Sequence, residues 1–343
     1  MAANFFWRLR ARQVTYLSIC DSKNKDTPQM IKQNMSAQTK LLTPAVSVII
    51  PTFNREKFIG AAIQSILEQS FQDFEIIVVD DGSTDATAEV IKSYSTDKLT
   101  YVYQTNRGRS NARNHALSLA VGRYIAFLDS DDLYLPGKLE LQVGYMEEHP
   151  EVDMIYTSAY CMDENGNPIN HHYDAKVSGR IYKDIAFFVP VTITLPTVMT
   201  RREVFDKVGG FDEKMERFED TDMWRRISKH FFVAAITEPT CKLRTHSDNS
   251  LIAQDPQKIV KALDYYASKI FREDADVGII TLRKGVSTLY QYYGYALLTQ
   301  SEWASLGRAL LYKALACWPL SPRLYAKLIY YHTLYPLKKW LGN

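Results

Sequence analysis

The sequence predicts an α/β fold: a Rossmann-like, mostly parallel sheet flanked by helices, followed by a helical C-terminal extension. Three observations predict it. Between residues 46 and 128, short apolar runs alternate with segments of helical period, the pattern of βαβ units. The runs Val46-Ser-Val-Ile-Ile and Phe74-Glu-Ile-Ile-Val-Val are almost unbroken in Val and Ile, as strands buried on both faces are. Beyond about Pro256 only helical periods remain.

Residues 1–44 read as a flexible lead-in, because Asp21 to Thr43 is rich in Lys, Gln, Asn, Ser and Thr. Met30 and Met35 precede the first strong strand and are expected as alternative translation starts. The catalytic unit is expected over 45–255. Val46 to Ile50 is its first strand, and Pro51 ends it. Phe58 to Gln69 repeats Ile59, Ala62, Ile63, Ile66 and Leu67 with a helical period. Phe74 to Val79 is the second strand and stops at Asp80-Asp81-Gly82-Ser83. Helix Thr84–Tyr94, strand Leu99–Tyr103, helix Ser110–Ala120 and strand Arg123–Leu128 follow. Helix Pro136–His149 and strand Val152–Ala159 continue the series. From Tyr160 to about Val191 the pattern weakens, with a turn at Asn165-Gly-Asn-Pro and an exposed pair, His171-His172. Thr197–Thr200 leads into Val204–Phe211, then helix Glu219–His230 and strand Phe231–Ile236.

The helical region, 256–343, contains Lys258–Arg272, Val286–Thr299, Glu302–Cys317 and Arg323–Tyr331. Gly307, Ala314 and Pro319 have a spacing faintly like a tetratricopeptide hairpin. The last segment interleaves Tyr325, Tyr330, Tyr331, Tyr335 and Trp340 with Arg323, Lys327, Lys338 and Lys339. That mixture suits either packing onto the catalytic unit or a peripheral membrane contact.

The chain is 46% hydrophobic and 23% charged, with a formal charge of +2, so nothing global argues for nucleic acid. Cys20, Cys161, Cys241 and Cys317 lie far apart, which indicates neither a disulfide framework nor a zinc site. A reducing cytoplasmic setting is expected, with contact at the inner face of the membrane through the C-terminus. No apolar run approaches about 18 residues, the length a spanning helix needs. Asn4-Phe-Phe-Trp-Arg-Leu-Arg lacks the apolar core and cleavage site of a signal peptide.

Chemistry concentrates after three strands. Pro51-Thr52-Phe53-Asn54-Arg55 follows the first, Asp80-Asp81-Gly82-Ser83 the second and Asp129-Ser130-Asp131-Asp132 the fourth. In a parallel sheet all three loops lie at one edge, where ligands bind. An aromatic, a base and several carboxylates there suit a nucleoside diphosphate. Phe53 can lie against a nucleobase, and Asp81 can accept from a base N–H. A divalent ion at Asp131 can neutralise the diphosphate. The bland alternative is a set of polar turns, since Asp and Ser are common turn formers. No Gly-x-Gly-x-x-Gly follows the first strand and no P-loop motif occurs, which disfavours a dinucleotide dehydrogenase or a P-loop ATPase.

Five linked motifs, in order, resemble the family 2 inverting glycosyltransferases of the GT-A fold. They are Val46-Ser-Val-Ile-Ile-Pro-Thr-Phe-Asn, Val78-Val-Asp-Asp-Gly-Ser-Thr-Asp, Asn106-Arg-Gly with Ala112-Arg-Asn, Phe127-Leu-Asp-Ser-Asp-Asp, and Gly209-Gly-Phe-Asp with Phe218-Glu-Asp-Thr-Asp-Met-Trp-Arg-Arg. The resemblance covers about Val46 to Ser250. It implies transfer of a sugar from a nucleoside-diphosphate donor, UDP favoured, to a saccharide or lipid-linked acceptor, with Mn2+ or Mg2+ as cofactor. It implies a nucleotide pocket of Pro51, Thr52, Phe53, Arg55, Asp81, Arg113, Asp129 and Ser130. Asp131, with Asp129 and His246, would hold the metal. Asp220 would be the general base beside Glu219. Many members carry Tyr where Phe53 stands, so only stacking carries over. An acid at a helix start also serves as a cap, which is the structural alternative for Asp220. Asp222 reads as a solvated charge. Arg201-Arg202 is a weaker candidate for an anionic acceptor, against the ordinary role of charge at a helix start. The rival functions are a nucleotidyltransferase and a silent sugar-nucleotide binder.

Overall fold

Side chains alternate between the two faces of a strand, so each central strand of a covered sheet supplies two cores. Val48 and Ile50 enter one core and Ile49 the other; Ile76 and Val78 are divided from Ile77 and Val79 in the same way. The computed structural model describes residues 43–187, 193–245 and 255–331. In chain order the first half contains β1 (Val46–Thr52), α1 (Ile59–Leu67), β2 (Phe74–Asp80), α2 (Thr87–Lys92), β3 (Leu99–Tyr103), α3 (Arg109–Leu119), β4 (Tyr124–Phe127), β5 (Leu133–Tyr134) and α4 (Lys138–Glu148). Then come β6 (Met154–Met162), β7 (Pro168–Tyr173), α5 (Tyr182–Ala186), β8 (Met199–Arg201), α6 (Val204–Val208), α7 (Glu219–His230) and β9 (Val233–Arg244). The helical region contains α8 (Pro256–Glu273), α9 (Ile279–Leu298), α10 (Ala304–Cys317) and α11 (Pro322–Ile329).

The sheet order is β3-β2-β1-β4-β8-β6-β9-β5, with β7 paired to β6. The β3-β2-β1-β4 half is parallel, as the alternating pattern predicts. From β8 onward the sheet is mixed: β8 runs antiparallel to β4 and β6, while β6 and β9 are parallel. The register sets Thr52 opposite Asp80, and Ile49 opposite Phe127. Hence the chain leaves β1, β2 and β4 at one edge.

Two strands depart from the sequence reading. The segment around His171-His172 is strand β7, paired to β6, rather than a turn-rich loop. Its residues Pro168 to His172 are exposed, so it carries no buried apolar face for periodicity to reveal. Strand β9 runs on to Arg244, past the expected end at Ile236, through the irregular pairing around Pro239. Arg201 is a structural clamp: its guanidinium donates to the carbonyls of Val152 and Met146. Arg201 and Arg202 line a separate small cleft with Arg123 and Asp206.

The helical region has its own core, which Tyr182, Phe187, Met215 and Phe218 join. Phe187 lies on the backbone of α9 at Gly285, where a Cβ would fall 2.3 Å from the ring. An ionic network fixes α7 to α8. Asp222, fully buried, accepts from Arg225 at 2.8 Å, Arg226 at 2.9 Å and Lys269 at 2.8 Å. Arg225 also pairs with Glu273 and Asp274, and Lys269 with Asp212. Asp222 is therefore a structural anchor, not a solvated charge. Burial alone would raise its pKa; Arg225, Arg226 and Lys269 outweigh that and hold it below the usual carboxylate value. Stability from this group is present above the unfolded carboxylate pKa and is lost as pH falls through the depressed value. Asp222→Asn, by removing the buried charge that Arg225, Arg226 and Lys269 share, is expected to cost about 3 kcal/mol in a denaturant titration. A loss below about 1 kcal/mol would show that the network is not holding α7.

Candidate active site

The loops that leave the sheet edge are tied to each other before any ligand is considered. Asp81 N–H donates to the Thr52 carbonyl at 2.8 Å. Asn54 N–H donates to Ser83 Oγ, and Thr84 N–H donates back to Asn54 Oδ1, both at 2.9 Å. The Asp81 carboxylate accepts from the backbone N–H groups of Arg107 and Gly108, at 2.9 and 2.8 Å, and from the Gln104 amide. It thus binds the start of α3 to the β2 loop. Gly82, at φ +87°, lets this approach happen, since a Cβ there would lie 2.9 Å from Asn106 N. A second lock joins α3 to the segment before α7. Asn114 accepts from Phe211 N–H at 2.7 Å and donates to its carbonyl at 2.9 Å, and a Cβ on Gly210 would strike its amide.

Two adjoining chambers open on this edge. The smaller, about 340 Å³, is lined by Pro51, Thr52, Phe53, Arg55, Asp81, Ser130 and Asp131. The larger, about 940 Å³, is lined by Glu219, Asp220, Trp224, Tyr173, Tyr292 and Tyr293 among others. Arg109, Asp129, Asp132 and Arg244 line both and form the seam. The expected nucleotide residues therefore gather in the smaller chamber, except Arg113, which lines the larger one with the expected catalytic pair. Arg113 links them. Buried beneath the seam, it donates to Asp129 at 3.0 Å and to Glu219 at 3.1 Å. Burial works against its charge, but Asp129, Glu219 and Asp220 outweigh it and keep the guanidinium protonated. Glu219 also pairs with Arg109 at 3.1 Å and is 5% exposed, so it is a wall element rather than a free acid.

Asp220 opens α7, and its Oδ1 accepts from the Thr221 N–H at 2.7 Å. Its pKa is pushed up to about 6, first by desolvation in the chamber wall and next by the Glu219 charge. The Thr221 N–H, Arg113 and Arg109 oppose that rise without cancelling it. A carboxylate poised there can take a proton at neutral pH. Phe218, just before it, holds φ +65°, and Asn54 in the first loop holds φ +51°. Among the described residues these are the non-glycine positions with left-handed backbone, and both adjoin the chambers. Such outliers cluster at functional sites.

The acid cluster fits a shared cation rather than a protein cage. Asp131 Oδ2 lies 3.5 Å from Arg55 Nε, and Asp132 accepts from Arg244 N–H at 2.7 Å. Burial, then Asp129 and Asp131, drive the Asp132 pKa well above normal, the signature of crowded negative charge. Among the described residues no group of three or more His, Cys, Asp or Glu side chains is arranged to hold a metal. One or two carboxylates completed by substrate oxygens remain compatible with Mg2+ or Mn2+. His246 lies outside the described residues.

The family model for glycosyl transferase family 2 matches residues 47–209. An uncharacterized glycosyltransferase of Methanocaldococcus jannaschii is 34% identical over 66% of this chain and 79% of its own length. The chain belongs to glycosyl transferase family 2. An uncharacterized glycosyltransferase of Rickettsia bellii is 36% identical over 68% of this chain but only 33% of itself. The chain thus spans about a third of the length of that relative. Among solved structures, S. aureus TarS 1-349 in complex with UDP-GlcNAc superposes with a TM-score of 0.61, covering 84% of this chain and 87% of that one at 21% identity. That likeness establishes the GT-A type fold.

Within this family-2 chain, Phe53 is 44% exposed at the mouth of the smaller chamber, free to meet a flat ligand. The sequence reading missed Arg109 and Arg244 as seam residues, named Asp132 only as part of the acid run, and missed Tyr173 and Tyr292 as walls of the larger chamber. Arg244 donates to the Asp131 carbonyl at 2.9 Å. Its position two residues before His246 was the one available hint. Thr52 Oγ1 is buried without a hydrogen-bond partner. Thr52→Val is expected to raise the ligand-free thermal stability by about 1 kcal/mol, since an unpaired buried hydroxyl is a net cost. A loss of similar size would show that the hydroxyl is already satisfied.

Proposed function

We propose that the protein is an inverting glycosyltransferase. It moves a sugar from a nucleoside-diphosphate donor, UDP-linked by preference, to a hydroxyl of a saccharide or lipid-linked acceptor. The observation that carries this reading is the pair of chambers meeting at Arg109 and Asp129, with Asp220 in the wall of the larger one at a pKa near 6. The TarS complex with UDP-GlcNAc, on the same fold, supports a nucleotide-sugar donor.

The base would occupy the smaller chamber between Phe53 and Asp81, with the Thr52 hydroxyl as an open hydrogen-bonding group. The diphosphate would lie at the seam, and the sugar would enter the larger chamber. Asp131 and Asp129 would hold Mn2+ or Mg2+, which would supply charge neutralisation for the departing diphosphate. Asp220 removes the proton of the acceptor hydroxyl as that oxygen attacks the anomeric carbon. Arg113 keeps Glu219 and Asp129 fixed on either side, so the base and the leaving group hold their separation. No helix among the described residues is long and apolar enough to cross a membrane. Peripheral membrane contact belongs to the same proposal: Tyr325 and Ile329 of α11 are exposed beside the bases Arg323 and Lys327.

Asp220→Asn is expected to cut turnover by roughly 10²–10⁴-fold while nucleoside-diphosphate affinity stays within about twofold of wild type. In the wild type, kcat/KM should rise with pH through a limb near 6 and then level, because the carboxyl must lose its proton to act. Near wild-type turnover by the Asn variant would remove Asp220 from the mechanism. Product analysis separates the rival: release of pyrophosphate from a nucleoside triphosphate would mark a nucleotidyltransferase. Chelation of divalent ions should abolish transfer, with Mn2+ or Mg2+ restoring it; full activity in chelator would exclude a metal role.

A further inference from the structure

Five residues among those described carry a buried side-chain nitrogen or oxygen with no hydrogen-bond partner. Two are guanidinium Nε atoms, of Arg113 and Arg225, whose other nitrogens are paired. The three neutral ones are Thr52 Oγ1, Thr194 Oγ1 and Trp224 Nε1, and all three residues line the two chambers. Buried polar groups are nearly always satisfied, so a cluster of exceptions around one cavity marks a place where a ligand supplies the partners. Thr52 belongs to the nucleotide side. Trp224 and Thr194 belong to the larger chamber and have no role in the mechanism above.

Trp224 is 1% exposed. It sits on α7 four residues after Asp220, so the two share a helix face. Its ring is set by edge-to-face packing on Phe127, at 6.2 Å between centroids, and on Phe211, at 6.5 Å. Phe127 ends β4, two residues before Asp129 at the seam. The indole therefore packs against the strand that leads to Asp129 at the seam and lines the larger chamber. Tyr173 and Tyr292, the latter 57% exposed, line the same chamber from β7 and α9. A sugar joined to a diphosphate at the seam would enter the chamber that the indole lines. A rigid N–H donor on the base's own helix, with a hydroxyl on a second wall, suits a polyhydroxylated ring.

Resting on the glycosyl-transfer reading above, we infer that Trp224 Nε1–H and Thr194 Oγ1 bind hydroxyl or acyl oxygens of the donor sugar. The pair would orient the ring so that its anomeric carbon faces Asp220. The role is positioning and selection of the sugar, separate from recognition of the nucleotide.

The test compares UDP with UDP-glucose, UDP-galactose and UDP-N-acetylglucosamine by calorimetric titration of the full chain with Mn2+. The variants are Trp224→Phe, which keeps an aromatic ring and removes the donor, and Thr194→Val. Each variant is expected to weaken the best wild-type sugar nucleotide by roughly three- to tenfold, the loss of one hydrogen bond. UDP affinity should stay within twofold of wild type. Slow hydrolysis of the same sugar nucleotide should fall in parallel. Unchanged sugar-nucleotide affinity in both variants overturns the inference. An equal loss for UDP in Thr194→Val also overturns it, because the sugar would then not be what these atoms read. If Trp224→Phe fails to fold, Thr194→Val alone decides. If wild type binds none of the four ligands, the UDP preference on which this inference rests fails, and the inference with it, an outcome distinct from the others.

Discussion

One buried guanidinium holds the site together. Arg113 bonds Asp129 at the end of the β4 strand and Glu219 at the start of α7. Those two acids come from segments about ninety residues apart in a chain of 343. Without the cation between them, the buried Glu219 and the half-exposed Asp129 would be two like charges with no partner in common, which is unfavourable. With it, the acid cluster at the sheet edge and the helix that carries Asp220 share one rigid reference. A planar guanidinium can bond two carboxylates at once, which an ammonium does less well.

The helix carrying Asp220 has two working sides. One presents Asp220 and Trp224 to the larger chamber. The other buries Asp222 and Arg225 in the ionic network with α8. The helical region is thus part of the site's foundation. It also furnishes a wall, since Tyr292 and Tyr293 of α9 line the chamber. Phe218 connects the two roles: it packs on Tyr266 and Tyr293 in the helical core while its left-handed backbone starts α7. The contacts that hold Phe218 in that conformation also set where Asp220 begins its helix.

The sequence motifs have mechanical explanations in the structure. Asp-Asp-Gly-Ser and Asn-Arg-Gly form one lock, in which Asp81 accepts the N–H groups that open α3 and Gly82 makes room for Asn106. Ala-Arg-Asn and Gly-Gly-Phe-Asp form a second, through Asn114 and Phe211. Asp81 was read as a partner for a nucleobase; its oxygens already serve the loop, and it lines the smaller chamber as well. Its visible work in the ligand-free fold is therefore to shape the pocket.

By itself the sequence determined the parallel half of the sheet, the alternating helices and the convergence of three polar loops, two of them acidic, at one edge. Those features depend on local periodicity and on strand order, and both are written in adjacent residues. It also specified those residues of the smaller chamber that stand at or just after a strand end: Pro51, Thr52, Phe53, Arg55, Asp81, Ser130 and Asp131. Only the tertiary structure decided the rest. Strand β7 was invisible because its side chains are exposed and gain nothing from an apolar pattern. Asp222, expected in solvent, is buried because Arg225, Arg226 and Lys269 converge on it from two helices. The walls of the larger chamber, Tyr173 and Tyr292, come from segments more than a hundred residues apart. Pairing of charges and enclosure of a cavity are properties of three-dimensional proximity, and no local pattern in a chain encodes them.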